Sequence, residues 1–218
     1  MSKDLTIIFL TVNRVPKEWA EYQKSVLLEA AEDSPIITIS KEPLDWGINL
    51  IQEDMPSVSN IYKQVLRGCK LATTPYIAIA EDDCLYHKHH FEFRPPMDTF
   101  AYDVHRWGLF TWGTPTYYYK NRISNGAMIA PRELVIQSLE ERFAKYPKNN
   151  IGELGKEKGT SIDRRNTVTY EAITGMIFLS HVNSLDPTEQ HKTKKRGTIR
   201  AYEIPFWGKA DDIRRKWK

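Results

Sequence analysis

Residues 5–12 form an almost unbroken apolar run rich in β-branched side chains, which predicts a strand buried on both faces within a parallel sheet. Pro16 stands where a helix can begin. Trp19, Tyr22, Val26, Leu27 and Ala30 then recur at helical spacing. Residues 35–40 (PIITIS) predict a second strand. Residues 43–58 show no clear period and read as loop with a short strand. Ser57 or Ser59 can cap a second helix, whose apolar stripe is Ile61, Val65, Leu66, Cys69 and Ala72. Thr73, Thr74 and Pro75 end it. Residues 76–80 (YIAIA) predict a third buried strand that runs straight into Glu81, Asp82 and Asp83. This order of strands and helices is that of a doubly wound α/β half.

The second half alternates less regularly. Residues 109–112 and 117–120 read as strands. Asn125-Gly126 predicts a turn, followed by an apolar stretch over 127–130 and a helix from Pro131 that buries Leu134, Val135, Leu139 and Phe143. Residues 147–155 predict a loop leading into a short helix, and 167–180 one or two strands. The remainder is polar and basic with scattered aromatics. Neither an internal repeat nor a low-complexity linker divides the chain.

A length of 218 residues suits one domain with a full core, and 41% hydrophobic and 27% charged residues are ordinary for a globular protein. No apolar run approaches the roughly 20 residues that span a bilayer. The opening MSKD, entering a strand at once, predicts no signal peptide. Cys69 and Cys84 make no disulfide framework, which predicts a reducing, cytoplasmic setting. Charge is unevenly spread along the chain. From position 191 on, ten Lys or Arg face three acids, whereas the rest of the chain is mildly acidic. Such a tail is either a solvated terminal segment or a surface for a polyanion.

The acidic triplet carries the chemistry. Ligands of open α/β sheets bind beyond the carboxyl ends of the strands, and Glu81, Asp82 and Asp83 fall at such an end. Carboxylates so crowded repel one another unless a cation or a donor neutralises them. Hard oxygen ligands suit Mg²⁺ or Mn²⁺, which keep waters and bind substrate phosphates through one or two carboxylates. His87, His89 and His90 follow closely, but no cysteine spacing supports a zinc site, and they read as solvated loop residues.

The stretch from Ser59-Asn60-Ile61-Tyr62 through Gly68, Ala72 and Pro75-Tyr76-Ile77 to Glu81-Asp82-Asp83 resembles the donor-binding core of GT-A type glycosyltransferases, especially the family-2-like group. The resemblance reaches back to Thr11-Val12-Asn13-Arg14 and forward to residues 151–155 and His181. It implies a single Rossmann-like α/β domain over residues 1–190, with a mostly parallel central sheet flanked by helices. The donor half would cover about 1–100, the acceptor half 101–190, and a basic segment 191–218 would follow. By the resemblance, Asp83 is the principal metal ligand for Mn²⁺ or Mg²⁺, and Glu81, in place of the family's first Asp, contacts the ribose or a metal-bound water. Asp82 shares that site, and Thr11, Asn13, Arg14 and Asn60 contact the nucleotide of a nucleoside-diphosphate sugar, a UDP-sugar foremost.

Sugar transfer needs a neutralised diphosphate and, with inversion, a carboxylate base on the acceptor hydroxyl. Glu153 in Gly152-Glu153-Leu154-Gly155 is similar to the family's acidic motif and is the candidate base, with Asp163 and Glu171 in reserve. His181, at the end of an apolar run, is a candidate metal or diphosphate contact, with His191 as the alternative. Lys195 and Arg196, with Lys194, are candidates for a clamp over the diphosphate. Trp107, Trp112 and Tyr117 to Tyr119 are either a core layer or stacking faces for sugar or base. Asn125-Gly126-Ala127-Met128 resembles the family's small-residue stretch beside the donor sugar.

Two readings compete with a glycosyltransferase. A nucleotidyltransferase acting on a sugar phosphate also uses an α/β sheet and metal-binding acids, but it usually carries a glycine-rich loop after its first strand, and residues 13–17 hold no glycine. A non-catalytic nucleic-acid binder would explain the tail and not the acids. The tail, with Tyr202, Phe206, Trp207 and Trp217 among its cations, also allows a modified DNA acceptor.

Overall fold

In the computed structural model, which describes residues 4–146, 165–184 and 199–217, β1 (Leu5–Leu10) lies inside a sheet and is buried throughout. Its alternation decides the layers. Leu5, Ile7 and Phe9 face one side, where they meet Leu27, Ala30 and Ala31 of α1 (Lys17–Ala31). Ile8 and Leu10 face the other, where they meet Tyr62, Val65 and Cys69 of α2 (Val58–Leu71) and Leu134, Val135 and Leu139 of α3 (Arg132–Lys145). A strand covered on both faces has no polar side, hence the unbroken apolar run in the sequence.

The main sheet adds β2 (Ile36–Ser40), β3 (Ile48–Ile51), β4 (Tyr76–Glu81), β6 (Thr99–Asp103), β9 (Met128–Pro131) and β10 (Asn166–Tyr170), in the order β10-β6-β9-β4-β1-β2-β3. Only β9 runs against its neighbours, so the sheet is mostly parallel with helices on both faces. A second sheet holds β5 (Cys84–Leu85), β7 (Arg106–Phe110), β8 (Tyr117–Tyr119), β11 (Met176–Ser180) and β12 (Arg200–Ala201), in the order β12-β8-β7-β11-β5. The α/β class with a mostly parallel central sheet is thus observed. No helix among the described residues is long and apolar enough to cross a membrane.

Ser57, not Ser59, caps α2: its Oγ accepts the Asn60 amide at 3.0 Å. Gly68 lets α2 settle on β1, because a Cβ there would stand 2.8 Å from Ile8 Cγ2. Sequence pattern located these elements well in the first half and less well later. β6 went unforeseen, since Thr99 and Asp103 break its apolar run and its partners, β9 and β10, come later in the chain. β7 begins at Arg106, three residues before the expected 109, because Arg106 is buried and its guanidinium donates to Arg122 O at 2.8 Å.

The C-terminal aromatics are not scattered. β13 (Glu203–Ile204) and β14 (Gly208–Lys209) form a small hairpin that leads into α4 (Ala210–Arg215). Ile204, Trp207, Ala210 and Ile213 are buried against Trp19, Leu109 and Tyr117. Trp207 Nε1 donates to Gly175 O at 2.6 Å. Residues 199–217 therefore complete a core rather than stand apart from it.

His90 also departs from expectation. It is fully buried in a short 3₁₀ helix (Lys88–Glu92), and its Nδ1 lies 2.9 Å from Asp103 Oδ2. The other Asp103 oxygen accepts the amides of His105 (2.9 Å) and Ala172 (3.3 Å). This carboxylate thus ties the 3₁₀ helix to β6 and to the segment between β10 and β11. Removing one partner of such a buried cluster strands the others, at a cost of about 3 kcal/mol. Asp103→Ala is expected to lower the urea midpoint accordingly with an unchanged slope. A change below about 1 kcal/mol would show that water replaces the carboxylate there.

Candidate metal and nucleotide site

The chain leaves β1 toward β2 and β3 on one side and returns through α2 to β4 on the other. The carboxyl ends of β1 and β4 therefore flank the sheet's topological switch point, where open α/β sheets form their ligand crevice. Register places Leu10 beside Glu81. Thr11 after β1 thus meets Asp82 after β4, and Thr11 Oγ1 donates to Asp82 Oδ2 at 2.5 Å. A cleft of about 180 Å³ opens here, and Thr11, Arg14, Asn60, Glu81, Asp82, Asp83 and His181 all line it.

His181 arrives through strand pairing. Directly after Asp83 the chain enters β5, which pairs antiparallel with β11 so that Cys84 opposes Phe178. The Leu179 amide then donates to Asp83 O at 2.8 Å. Two residues on, the His181 ring is buried with Nε2 3.6 Å from Asp83 Oδ2. Among the described residues, nothing hydrogen-bonds to its buried Nδ1.

Burial, and after it the charge of Asp83, pushes Glu81 up to about 8. The same two causes push Asp82 up to about 7, against the opposing pull of the Thr11 hydroxyl and His181. Glu81 is fixed by its surroundings. Tyr86 OH accepts the Glu81 amide (3.0 Å) and donates to Gly126 O (2.7 Å). A Cβ at Gly126 would run into the Glu81 carboxylate, so this close approach needs glycine.

Ligand atoms of Glu81, Asp83 and Cys84 lie within 4.8 Å of one another. Burial and the neighbouring acids hold the Cys84 thiol well above its usual range, and its Sγ donates to Asp83 Oδ1 at 3.2 Å. The usable donors are therefore carboxylate oxygens and an imidazole nitrogen. That set of crowded oxygens with one imidazole nitrogen beside them fits a hard divalent cation.

A chain of hydrogen-bonded amides supports the cleft wall at Thr11. Arg67 Nη1 donates to Gln64 Oε1 (2.7 Å), Gln64 Nε2 to Asn60 Oδ1 (2.6 Å), Asn60 Nδ2 to Gln52 Oε1 (2.7 Å), and Gln52 Nε2 to Thr11 O (2.8 Å). All four donations run toward Thr11. Asn60 thus lines the cleft with its amide already engaged on both ends. No motif marked Gln52, Gln64 or Arg67: Gln64 is a polar residue on the buried face of α2, Gln52 a buried one just after β3, and Arg67 is exposed.

Asn13 is placed differently. With φ at 56° its Oδ1 accepts the amides of Lys41 (2.9 Å) and Glu42 (3.0 Å), so it braces the turn after β2 and lies outside this cleft. Tyr117 and Tyr118 are buried in the second sheet, and Tyr118 stacks on Phe110 at 4.9 Å, as a core layer does. Glu171 accepts from Tyr119 OH at 2.9 Å, also outside the cleft. In α4, Arg215 pairs with Asp211 at 2.5 Å, and Arg214 donates to Gly113 O. Glu153, Asp163, His191, Lys194, Lys195 and Arg196 lie outside the described residues.

No protein-family model matches the sequence, and no curated protein does. Among solved structures, a glycosyltransferase involved in glycosylation of the major capsid of PBCV-1 is similar over 80% of this chain and 91% of its own, at 12% identity and a TM-score of 0.49. The mannosyltransferase PcManGT from Pyrobaculum calidifontis, in complex with GDP-Man and Mn²⁺, is similar over 81% of this chain and 56% of its own (12%, 0.47). A 2-C-methyl-D-erythritol 4-phosphate cytidylyltransferase from Thermus thermophilus is similar over 76% and 87% (10%, 0.43).

The raised Glu81 gives a pH test. Above about 4.5 the unfolded chain loses this proton while the folded protein keeps it up to about 8. Stability contributed by Glu81 is therefore fully present in acid and is lost as pH rises through that window. Glu81→Gln removes the dependence. In chelator, the melting temperature of Glu81→Gln minus that of the parent should grow from about pH 5 to about pH 8. A difference constant with pH would mean that Glu81 ionises freely.

Proposed function

We propose that this protein is a glycosyltransferase that uses a divalent cation, Mn²⁺ or Mg²⁺, and a nucleoside-diphosphate sugar donor. The observation that carries the reading is the convergence of Asp83, its acidic neighbours and His181 on a cleft at the sheet's switch point. Asp83 and His181 would hold the cation, which supplies charge neutralisation for the departing diphosphate. Glu81, pinned against Gly126, is the candidate for a ribose or water contact. Thr11 orients Asp82, and Arg14 adds positive charge to the cleft wall. The amino end of α2, with Ser57 and Asn60 in the lining, favours an anionic ligand.

Glu153 is proposed as the base on the acceptor hydroxyl, with Lys195 and Arg196 as the clamp on the diphosphate. A UDP-sugar is the proposed donor. For the acceptor, the paired arginines of α4 lend no support to a DNA ligand, and a saccharide hydroxyl is the simpler choice.

Calorimetric titration with UDP and GDP, with and without Mn²⁺, tests the core of this. Metal-dependent binding is expected in the parent. Asp83→Asn should abolish it while leaving the melting temperature equal or higher, because a like charge is removed from a crowded site. Metal-independent binding, or salt-sensitive DNA binding alone, would reject the reading. If a donor is found, Glu153→Gln should lower kcat by roughly 10²-fold with donor affinity little changed. Near-normal turnover would discard Glu153 as base.

A further inference from the structure

A ring that ligates a metal through one nitrogen is ordinarily aimed by a hydrogen bond at the other, from a carboxylate, a carbonyl or water. No protein group among the described residues supplies that bond to His181, whose Nδ1 is buried while Nε2 faces Asp83. The packing around the ring then bears on its orientation. The indole of Trp217 lies against the imidazole, with ring centroids 4.7 Å apart and planes inclined by 43°.

Trp217 is itself held. Its ring centroid stands 5.3 Å from that of Trp19, a fully buried side chain whose Nε1 donates to Asp82 O at 2.7 Å. Its amide donates to Arg214 O at 3.0 Å, at the end of α4. α4 is anchored by the buried Ala210 and Ile213. The next residue back, Lys216, lies with Nζ 5.5 Å from the Tyr22 ring centroid. A chain of tilted ring contacts thus runs from the imidazole through Trp217 to Trp19, and from Trp19 by its indole hydrogen bond to the backbone of the acidic run.

We infer that Trp217 is a positioning residue for His181: its indole, braced by Trp19, packs the imidazole into the orientation that presents Nε2 to a cation shared with Asp83. Aromatic packing takes the place of a protein hydrogen bond to Nδ1. Trp217 itself touches no reacting atom. The inference rests on the metal reading above and adds to it a dependence on a side chain far from the acidic motif in sequence.

Mn²⁺ alone is the probe, with free ion counted by electron paramagnetic resonance in titrations of the full chain. Trp217→Ala should weaken Mn²⁺ binding about 10-fold, as loss of an outer partner of a ligand does. Trp217→Phe should recover most of the affinity, because a ring is kept. In a His181→Ala background, Trp217→Ala should add no further loss, since its effect passes through the imidazole. Thermal unfolding of each variant reports the fold. Should Trp217→Ala fail to fold, Trp217→Leu, which keeps apolar volume without a planar face, is read in the same way. Unchanged Mn²⁺ affinity in a folded Ala or Leu variant would overturn the proposal, as would an equal loss in the His181→Ala background. Absence of Mn²⁺ binding by the parent protein would overturn the metal reading and this proposal with it. Parent binding that His181→Ala leaves intact would overturn this proposal alone.

Discussion

The passage of the chain from β4 directly into β5 is the constraint on which the rest depends. β4 is a central strand of the main sheet, β5 an edge strand of the second, and only Asp82 and Asp83 separate them. Each end is fixed by its own ladder: Glu81 by Leu10 across from it, Cys84 by Phe178. The two intervening residues have no freedom to relax away from each other or from Glu81. Three acids are thereby held together at a partly buried corner, where burial and the charge of Asp83 oppose ionisation of Glu81 and Asp82. A structure that accepts such strain in its charge distribution needs a compensating cation or a proton, and this is the physical root of the proposed metal site.

The surroundings of that corner divide the work. On the β1 side, the amide chain from Arg67 to Gln52 fixes the backbone of Thr11, whose hydroxyl fixes Asp82. Donation in one sense along buried amides polarises each bond by the next. On the β11 side, pairing with β5 delivers His181, and the indole of Trp217, itself packed against Trp19, lies against the imidazole. Below, Tyr86 and Gly126 close on Glu81. The site thus draws on both sheets, on two helices and on the C-terminal segment, so its geometry is a property of the assembled fold.

The second half was harder to read than the first for a definite reason. The buried parallel strands β1, β2 and β4 announce themselves through apolar runs, since both of their faces are covered. β6 and β7 carry buried polar residues, Asp103 and Arg106, that bond to partners outside their own strands, so local hydrophobicity understates them. His90 shows the same effect: read alone it belongs in solvent, and only Asp103 accounts for its burial. Trp207 and Trp217, in a segment dominated by cations, read as scattered aromatics because their partners, Gly175 and Trp19, are remote in sequence.

By itself, the sequence determined the order of strands and helices up to Asp83, the capping of α2 at Ser57 or Ser59, and the position of the acidic run at a strand end. These follow from local periodicity, capping and burial, which act over a few residues. Long-range packing decides that Thr11 bonds Asp82, that the Asn13 side chain braces the turn after β2, and that His181 faces Asp83. Those outcomes depend on strand register and on contacts between positions up to 98 residues apart, Asp83 and His181, which carry no local signature. A side chain's chemistry is legible from its type; its partner is set by packing, and packing is a property of the whole chain.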